Sequence, residues 1–150
     1  RDSTEPLRVV FTKTLDLPAK SKLWDCNVAK TLVIYDSSTA NEEFLARIPK
    51  CVEVAKVSSD NPELISMLLA KRGCNKVLWE CGPKLATSAV KSGCINEIIS
   101  FIAPKILGGE NSMNPFGDFE FQEMNEIIKL TDSHVSLIGN DICVKSTLKI

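Results

Sequence analysis

The stretch from Val77 to Gly109, VLWECGPKLATSAVKSGCINEIISFIAPKILGG, constrains this chain more than any other. A short apolar run (Val77, Leu78, Trp79) ends in an acid, Glu80, and is followed by a Gly82-Pro83 turn. A run rich in small residues, a second apolar run from Ile98 to Ile102 and a glycine pair complete it. The order reads strand, turn, helix, strand. Pro83 has no N–H to lose at a first helical position, and Gly93 suits the helix end. A helix that opens straight off a strand leaves free N–H groups at the carboxyl edge of a sheet, which makes a phosphate site. Gly82 lets a ligand come close to the backbone there. Glu80 then stands beside whatever the phosphates bring with them.

The rest of the chain reads as partners for that unit. Leu7 to Thr12 is a β-branched strand, left through the polar Thr12, Lys13 and Thr14. From Ala19 to Asn27 the chain is irregular, with Leu23 and Trp24 packing as an apolar plug. Thr31 to Tyr35 is a second strand, followed by the loop Asp36 to Thr39. Asn41 to Ile48 reads as a short helix stopped before Pro49, and Cys51 to Val57 as a third strand. Asp60 or Asn61 caps the next helix, Pro62 starts it, Leu64, Ile65, Leu68 and Leu69 line one face, and Gly73 ends it. With Lys76 to Glu80 as a returning strand, Cys51 to Glu80 is a β-α-β unit, which implies a parallel sheet.

Downstream, the helix from Pro83 to about Ser92 turns Leu85, Ala86, Ala89 and Val90 inward, and Glu97 to Ile102 is a strand. The loop Gly108 to Gly117 is expected to be mobile. Phe119 to Thr131 and Val135 to Lys149 read as an antiparallel pair, the second interrupted by a Gly139-Asn140-Asp141 turn. The class is therefore α/β.

Length and charge narrow the function. The 150 residues fit one domain, and 44% apolar content suffices for a sizeable core. Eighteen basic and nineteen acidic residues leave a formal charge of -1, so no global field gathers nucleic acid or an anionic membrane. No apolar run approaches the ~20 residues that span a bilayer, and the opening RDSTEPLR is too polar for a secretory signal. A soluble, cytoplasmic protein is the expectation. Six cysteines show no C-x-x-C and His134 is the one histidine, so no metal site is expected and the thiols are read as reduced and mostly buried. The start at Arg1 instead of Met suggests a preceding segment.

Each candidate has a plainer reading beside it. Glu80 stands where a carboxylate can act, whereas Lys13 taken alone is a solvated loop charge and Lys105 a solvated charge after Pro104. His134, without a Ser, Cys or second His spaced as a partner, is surface decoration. Phe119 and Phe121, two apart, read as core-facing strand residues.

Three segments together resemble a known family. They are Leu78-Trp79-Glu80-Cys81-Gly82-Pro83-Lys84-Leu85-Ala86, then Ile95-Asn96-Glu97, then Ile102-Ala103-Pro104-Lys105-Ile106-Leu107-Gly108-Gly109. They are similar to the reductase domain of the bifunctional riboflavin-biosynthesis deaminase/reductase family, whose pattern runs E-G-G-x-x-L-A, V-D-E-L, I-A-P-K-L-L-G-G. Arg8-Val9-Val10 with Leu15 and Pro18 matches that family's R-V-V-x-D-x-x-L-x-x-P segment.

The resemblance implies one reductase domain over 1-150, dihydrofolate-reductase-like, with a mixed, mainly parallel sheet flanked by helices and a C-terminal antiparallel hairpin. It implies NADPH as cofactor and a phosphoribosylamino-pyrimidine as substrate, its ribose reduced to a ribityl chain on the way to riboflavin. Glu80 maps onto the family's catalytic acid. Cys81, Gly82, Pro83, Lys84 and Leu85 map onto the turn and helix start that hold the pyrophosphate, and Thr12 and Lys13 onto contacts to the adenosine 2′-phosphate. A homodimer is implied, with a deaminase domain upstream in the full-length chain.

Three departures qualify the match. Cys81 replaces the first glycine of the pair, and Asp16 stands where a basic residue often follows the first strand. The family domain also begins before this sequence, so an incomplete domain lacking its N-terminal strands is expected. Two other functions stay open: a related pterin or folate reductase, and a non-catalytic module that dimerises and stabilises an attached deaminase.

Overall fold

Three β-branched runs of the first half pair side by side as β1 (Arg8–Thr12), β2 (Thr31–Asp36) and β3 (Glu53–Val57), all parallel and in that order. The structure is a computed structural model and describes residues 5–109 and 114–149. It divides into two compact units, Arg1–Gly73 and Cys74–Ile150.

In the first unit, register runs from Arg8 opposite Thr31 to Thr12 opposite Tyr35, and from Leu32 opposite Glu53 to Asp36 opposite Val57. β2 is the middle strand and all six of its residues are buried, the signature of a strand covered on both faces. Alternation sends Val33 and Tyr35 to one face and Leu32 and Ile34 to the other. On the first face Val33 and Tyr35 join Leu15 and Val52 in a buried cluster, with Leu17, Trp24, Phe44 and Ile48 packed around it.

Short helices frame this sheet. Lys22–Trp24 is a single 3-10 turn capped by Ser21, and the expected helix at Asn41 is a 3-10 helix, Glu42–Arg47, capped by the Asn41 side chain. The plug expected of Trp24 is real: its indole N–H donates to the Pro18 carbonyl at 2.8 Å while the ring packs on the cluster. The Arg8 guanidinium donates to the carbonyls of Lys22, Asp25 and Ala29, gathering the irregular loop onto the start of β1. α1 (Pro62–Lys71) starts from an Asn61 cap with proline in its first turn, buries Ile65 and Leu69, and ends at Gly73 with φ +84°. Arg72, just past its end, pairs with Glu53 at the start of β3.

In the second unit, α2 (Pro83–Lys91) buries Thr87, Ala89 and Val90, and Gly93 follows it at φ +68°. β4 (Glu97–Ile102), β5 (Leu130–Ile138) and β6 (Asp141–Leu148) form an antiparallel sheet in the order β4-β6-β5. The loop read as mobile, Gly108 to Gly117, runs partly outside the described residues, at 110–113. Its far end is tethered: the Gly117 amide donates to the Thr87 hydroxyl at 2.8 Å.

Four expectations are corrected. Lys76 to Glu80 is not a strand, because among the described residues no strand pairs with it; it runs unpaired with Leu78 74% exposed, so no returning strand closes a β-α-β unit. Of Phe119 to Thr131 only Leu130 and Thr131, the start of β5, pair with the last strand. The hairpin instead joins β5 to β6 across Gly139-Asn140, which was read as an interruption inside one strand. Phe119 and Phe121 are not core-facing strand residues; their rings stack on each other at 5.1 Å, and Phe121 is exposed. Finally, not every thiol is free. Cys26 and Cys51 form a disulfide with Cα atoms 6.3 Å apart, and of the other four cysteines Cys143 is buried and the rest half-buried.

Candidate functional site

The carboxyl edge of the first unit's parallel sheet is where an open α/β sheet holds ligands, and Thr12 and Lys13 lie there at the end of β1. Thr12 is buried and its hydroxyl oxygen accepts the Leu15 N–H at 3.1 Å. That bond closes a turn in which Leu15, though not glycine, sits at φ +62°, held by its burial in the cluster. Lys13 is exposed and its ammonium is ion-paired with Asp60. The hydrogen bond that the ammonium donates to Asp60, then the charge of that carboxylate, raises the Lys13 pKa above the ordinary lysine value.

Around this pair lies a ring of short polar side chains from the neighbouring strand ends. Thr39 donates its hydroxyl to the Lys13 carbonyl at 2.9 Å, and Ser37 donates its hydroxyl to the Val57 carbonyl at 3.0 Å. Asp36 accepts from the Ser38 hydroxyl at 2.6 Å and the Ser38 amide at 2.9 Å. Those bonds, the hydroxyl first, hold its carboxyl below the usual aspartate value. Sequence reading named Asp36 to Thr39 only as a loop and Asp60 only as a helix cap. The available signal was a hydroxyl-rich D-S-S-T directly after a strand.

The second unit carries the other candidates in one continuous run. Glu80 is exposed at the end of the unpaired segment, and Cys81 is half-buried, its thiol pushed up by burial and therefore neutral at neutral pH. Gly82 is the N-cap of α2 at φ −70° and ψ 168°, and Pro83 opens the helix. This backbone asks for no glycine, but a side chain at Gly82 would meet nothing within 4 Å, so the space in front of the helix is open. No side chain caps this end, and no acidic residue lies in the first turn. The amides of Lys84 and Leu85 thus stand at an uncapped positive helix end, and Lys84 itself is exposed. Behind them the Thr87 hydroxyl donates to the Pro83 carbonyl at 2.9 Å and accepts from Gly117, fixing the first turn from inside.

The structure thus brings Thr12 and Lys13 together at one edge, and Glu80 through Leu85 together at another, in different units. Among the described residues no group of three His, Cys, Asp or Glu side chains gathers to hold a metal, and no helix is long and apolar enough to cross a membrane.

Comparison with known proteins supplies the context. A family model described as the RibD C-terminal domain matches residues 1–144. The riboflavin biosynthesis protein RibD of Synechocystis sp. is 42% identical, over 91% of this chain and 37% of its own length. The chloroplastic riboflavin biosynthesis protein PYRR of Arabidopsis thaliana is 35% identical, over 96% of this chain and 24% of its own. The solved structure of a diaminohydroxyphosphoribosylaminopyrimidine deaminase/5-amino-6-(5-phosphoribosylamino)uracil reductase from Thermotoga maritima overlays with a TM-score of 0.70. It covers 99% of this chain and 39% of that one at 19% identity, which speaks for the fold alone, the α/β dihydrofolate-reductase-like class expected above. The chain therefore spans well under half the length of these relatives. With an unpaired Glu80 segment leading into an uncapped helix, and a family match along almost all of its residues, this chain belongs to the RibD C-terminal domain family.

Proposed function

We propose that this chain provides reductase machinery of riboflavin biosynthesis: NADPH-dependent reduction of the ribose of 5-amino-6-(5-phosphoribosylamino)uracil to the ribitylamino product. The observation that carries the reading is the uncapped N-terminus of α2 directly behind Glu80, a positive end open to a diphosphate. The donor set fits the cofactor there, with two main-chain amides, one lysine and no acid in the first turn. NADPH, when bound, supplies the hydride. The amides of Lys84 and Leu85 grip the diphosphate, and Glu80 orients a sugar hydroxyl or holds a proton beside the carbon being reduced. Thr12 and Lys13 meet the adenosine 2′-phosphate, for which Lys13 exchanges its Asp60 partner.

The same proposal includes a homodimer, a deaminase domain as partner, and action in the cytoplasm. Apolar side chains left exposed on the second unit's sheet, Phe101 at 62% and Leu137 at 74%, support a further packing partner. A second reading, a non-catalytic module stabilising a deaminase, is favoured by the ion pair that already occupies Lys13.

Titration with NADPH and NADH, followed by nicotinamide fluorescence, separates the two. Tight binding that depends on the 2′-phosphate supports the reductase; no binding at millimolar cofactor supports the module. In the full-length enzyme, Glu80→Gln is expected to lower turnover with little change in cofactor affinity, and unchanged turnover removes Glu80 from the mechanism.

A further inference from the structure

The disulfide joins two segments that have no regular structure of their own. Cys26 lies two residues past the 3-10 turn Lys22–Trp24, and Cys51 lies in the turn closed by the Val52 amide donating to the Pro49 carbonyl at 2.9 Å. Trp24 near the first cysteine and Ile48 and Pro49 near the second line a cavity of about 520 Å³, whose other walls include Leu15, Phe44 and the charged Asp16 and Arg47. The bond therefore ties together two segments whose neighbouring residues line one cavity.

We propose that Cys26–Cys51 is a reversible thiol–disulfide clasp: intact, it ties the loop after Trp24 to the Cys51 turn, and reduced by a protein dithiol, it leaves that loop on its hydrogen bonds alone, free to open transiently. Three observations support a switch over a permanent staple. Cys51 is exposed and Cys26 half-buried, so one sulfur is open to attack and the other leaves. The four remaining cysteines are unpaired, which is not the pattern of a disulfide-built scaffold. The loop also has other holds that survive reduction: Arg8 to the Lys22, Asp25 and Ala29 carbonyls, and the Thr31 hydroxyl donating to the Leu23 carbonyl at 3.0 Å. The fold thus persists without the bond while the loop loses its covalent tie.

The exchange balances. A thiolate of the dithiol attacks Cys51 Sγ, the Cys26–Cys51 bond breaks, and Cys26 departs as a thiolate and takes up a proton. The second thiol of the reductant then displaces Cys51, which also becomes a thiol, and the reductant is left as a disulfide after transfer of two electrons. Oxidised glutathione drives the reverse reaction and ends as two molecules of reduced glutathione.

The test is a redox titration of the intact protein in graded glutathione buffers, with thiols counted by mass after denaturing alkylation. A single two-electron step is expected, from four labels to six, reached also with a catalytic amount of a thioredoxin-class dithiol. Limited trypsin digestion in the same buffers is expected to cut after Lys20, Lys22 and Lys30 about tenfold faster in the reduced protein. Cys51→Ser should show the fast rate in every buffer, and if that variant does not fold, the reduced wild type carries the comparison, its fold checked by circular dichroism. Six labels throughout, four labels throughout, or equal cleavage in both states would each overturn the clasp.

Discussion

The Lys13 ammonium and the Asp60 carboxylate are locked together at the carboxyl edge of the parallel sheet, although one follows β1 and the other follows β3. Both side chains are half-exposed, so solvent screens the pair and it contributes little. A phosphate can compete with a partner held that weakly. Asp60→Asn is therefore expected to tighten NADPH binding by up to about fivefold, and Lys13→Ala to weaken it, while NADH binding stays constant in both. Fluorescence titration at low and physiological salt reads this directly. A NADPH-to-NADH ratio that neither substitution moves removes Lys13 from the cofactor site.

Asp36 sets a pH dependence with a definite sign. Its carboxyl sits below the ordinary value of 3.8 because the Ser38 hydroxyl and amide bond its charged form. A lowered folded-state pKa contributes stability that is complete above the unfolded value and is lost as pH falls from 3.8 toward the folded one. Wild-type stability should thus decline through that acid range, and Asp36→Asn should be less stable at neutral pH but flatter below pH 3.8. Urea midpoints at pH 7, 4 and 3 check it; parallel curves for the two proteins would deny the Ser38 bonds their effect.

Thr87 is a test of how the start of α2 is held. Its hydroxyl bridges the Pro83 carbonyl and the Gly117 amide, so alanine there removes both bonds and leaves the Gly117 amide only its longer, 3.3 Å bond to the Pro83 carbonyl. The expected loss is about 1 to 2 kcal/mol, which is about 2 to 8 °C in Tm for a protein of this size. If Thr87→Ala melts with wild type, the Gly117 tether does not form in solution.

What was legible in the sequence was local. The Gly82-Pro83 opening of α2 follows from residues within one turn of each other, as does the cap of α1, where the structure takes Asn61 of the two residues read as candidates, Asp60 and Asn61. The parallel sheet was legible because its three runs are β-branched and separated by segments long enough to cross over. Lys76 to Glu80 has the same apolar look as those runs, but a strand also needs a neighbouring edge, and no local pattern reports one. Phe119 and Phe121 imitate strand alternation while stacking on each other. The Lys13–Asp60 pair and the Cys26–Cys51 bond escaped notice for a common reason: each joins residues that only the completed sheet brings together.

The hairpin that sequence reading misplaced depends on one backbone angle. Gly139 and Asn140 alone separate β5 from β6; Gly139 lies at φ +62°, whereas Asn140 is not left-handed, the arrangement of a type II′ turn with glycine first. A β-branched residue resists that angle by roughly 1 to 2 kcal/mol, so Gly139→Val should lower Tm by about 2 to 8 °C. Asn tolerates the left-handed region, and Gly139→Asn should lose less. The cost reaches beyond the turn, because β6 is the middle strand and pairs with β4 as well as β5. A slip of one residue at Gly139 would exchange the faces of β6, bringing Val144 and Lys145 to opposite sides of the sheet from where they now lie. Amide hydrogen exchange along β6 distinguishes the two routes. Faster exchange confined to the residues next to the turn means local strain, and loss of protection through Leu148 means that the register of the whole sheet is set at Gly139.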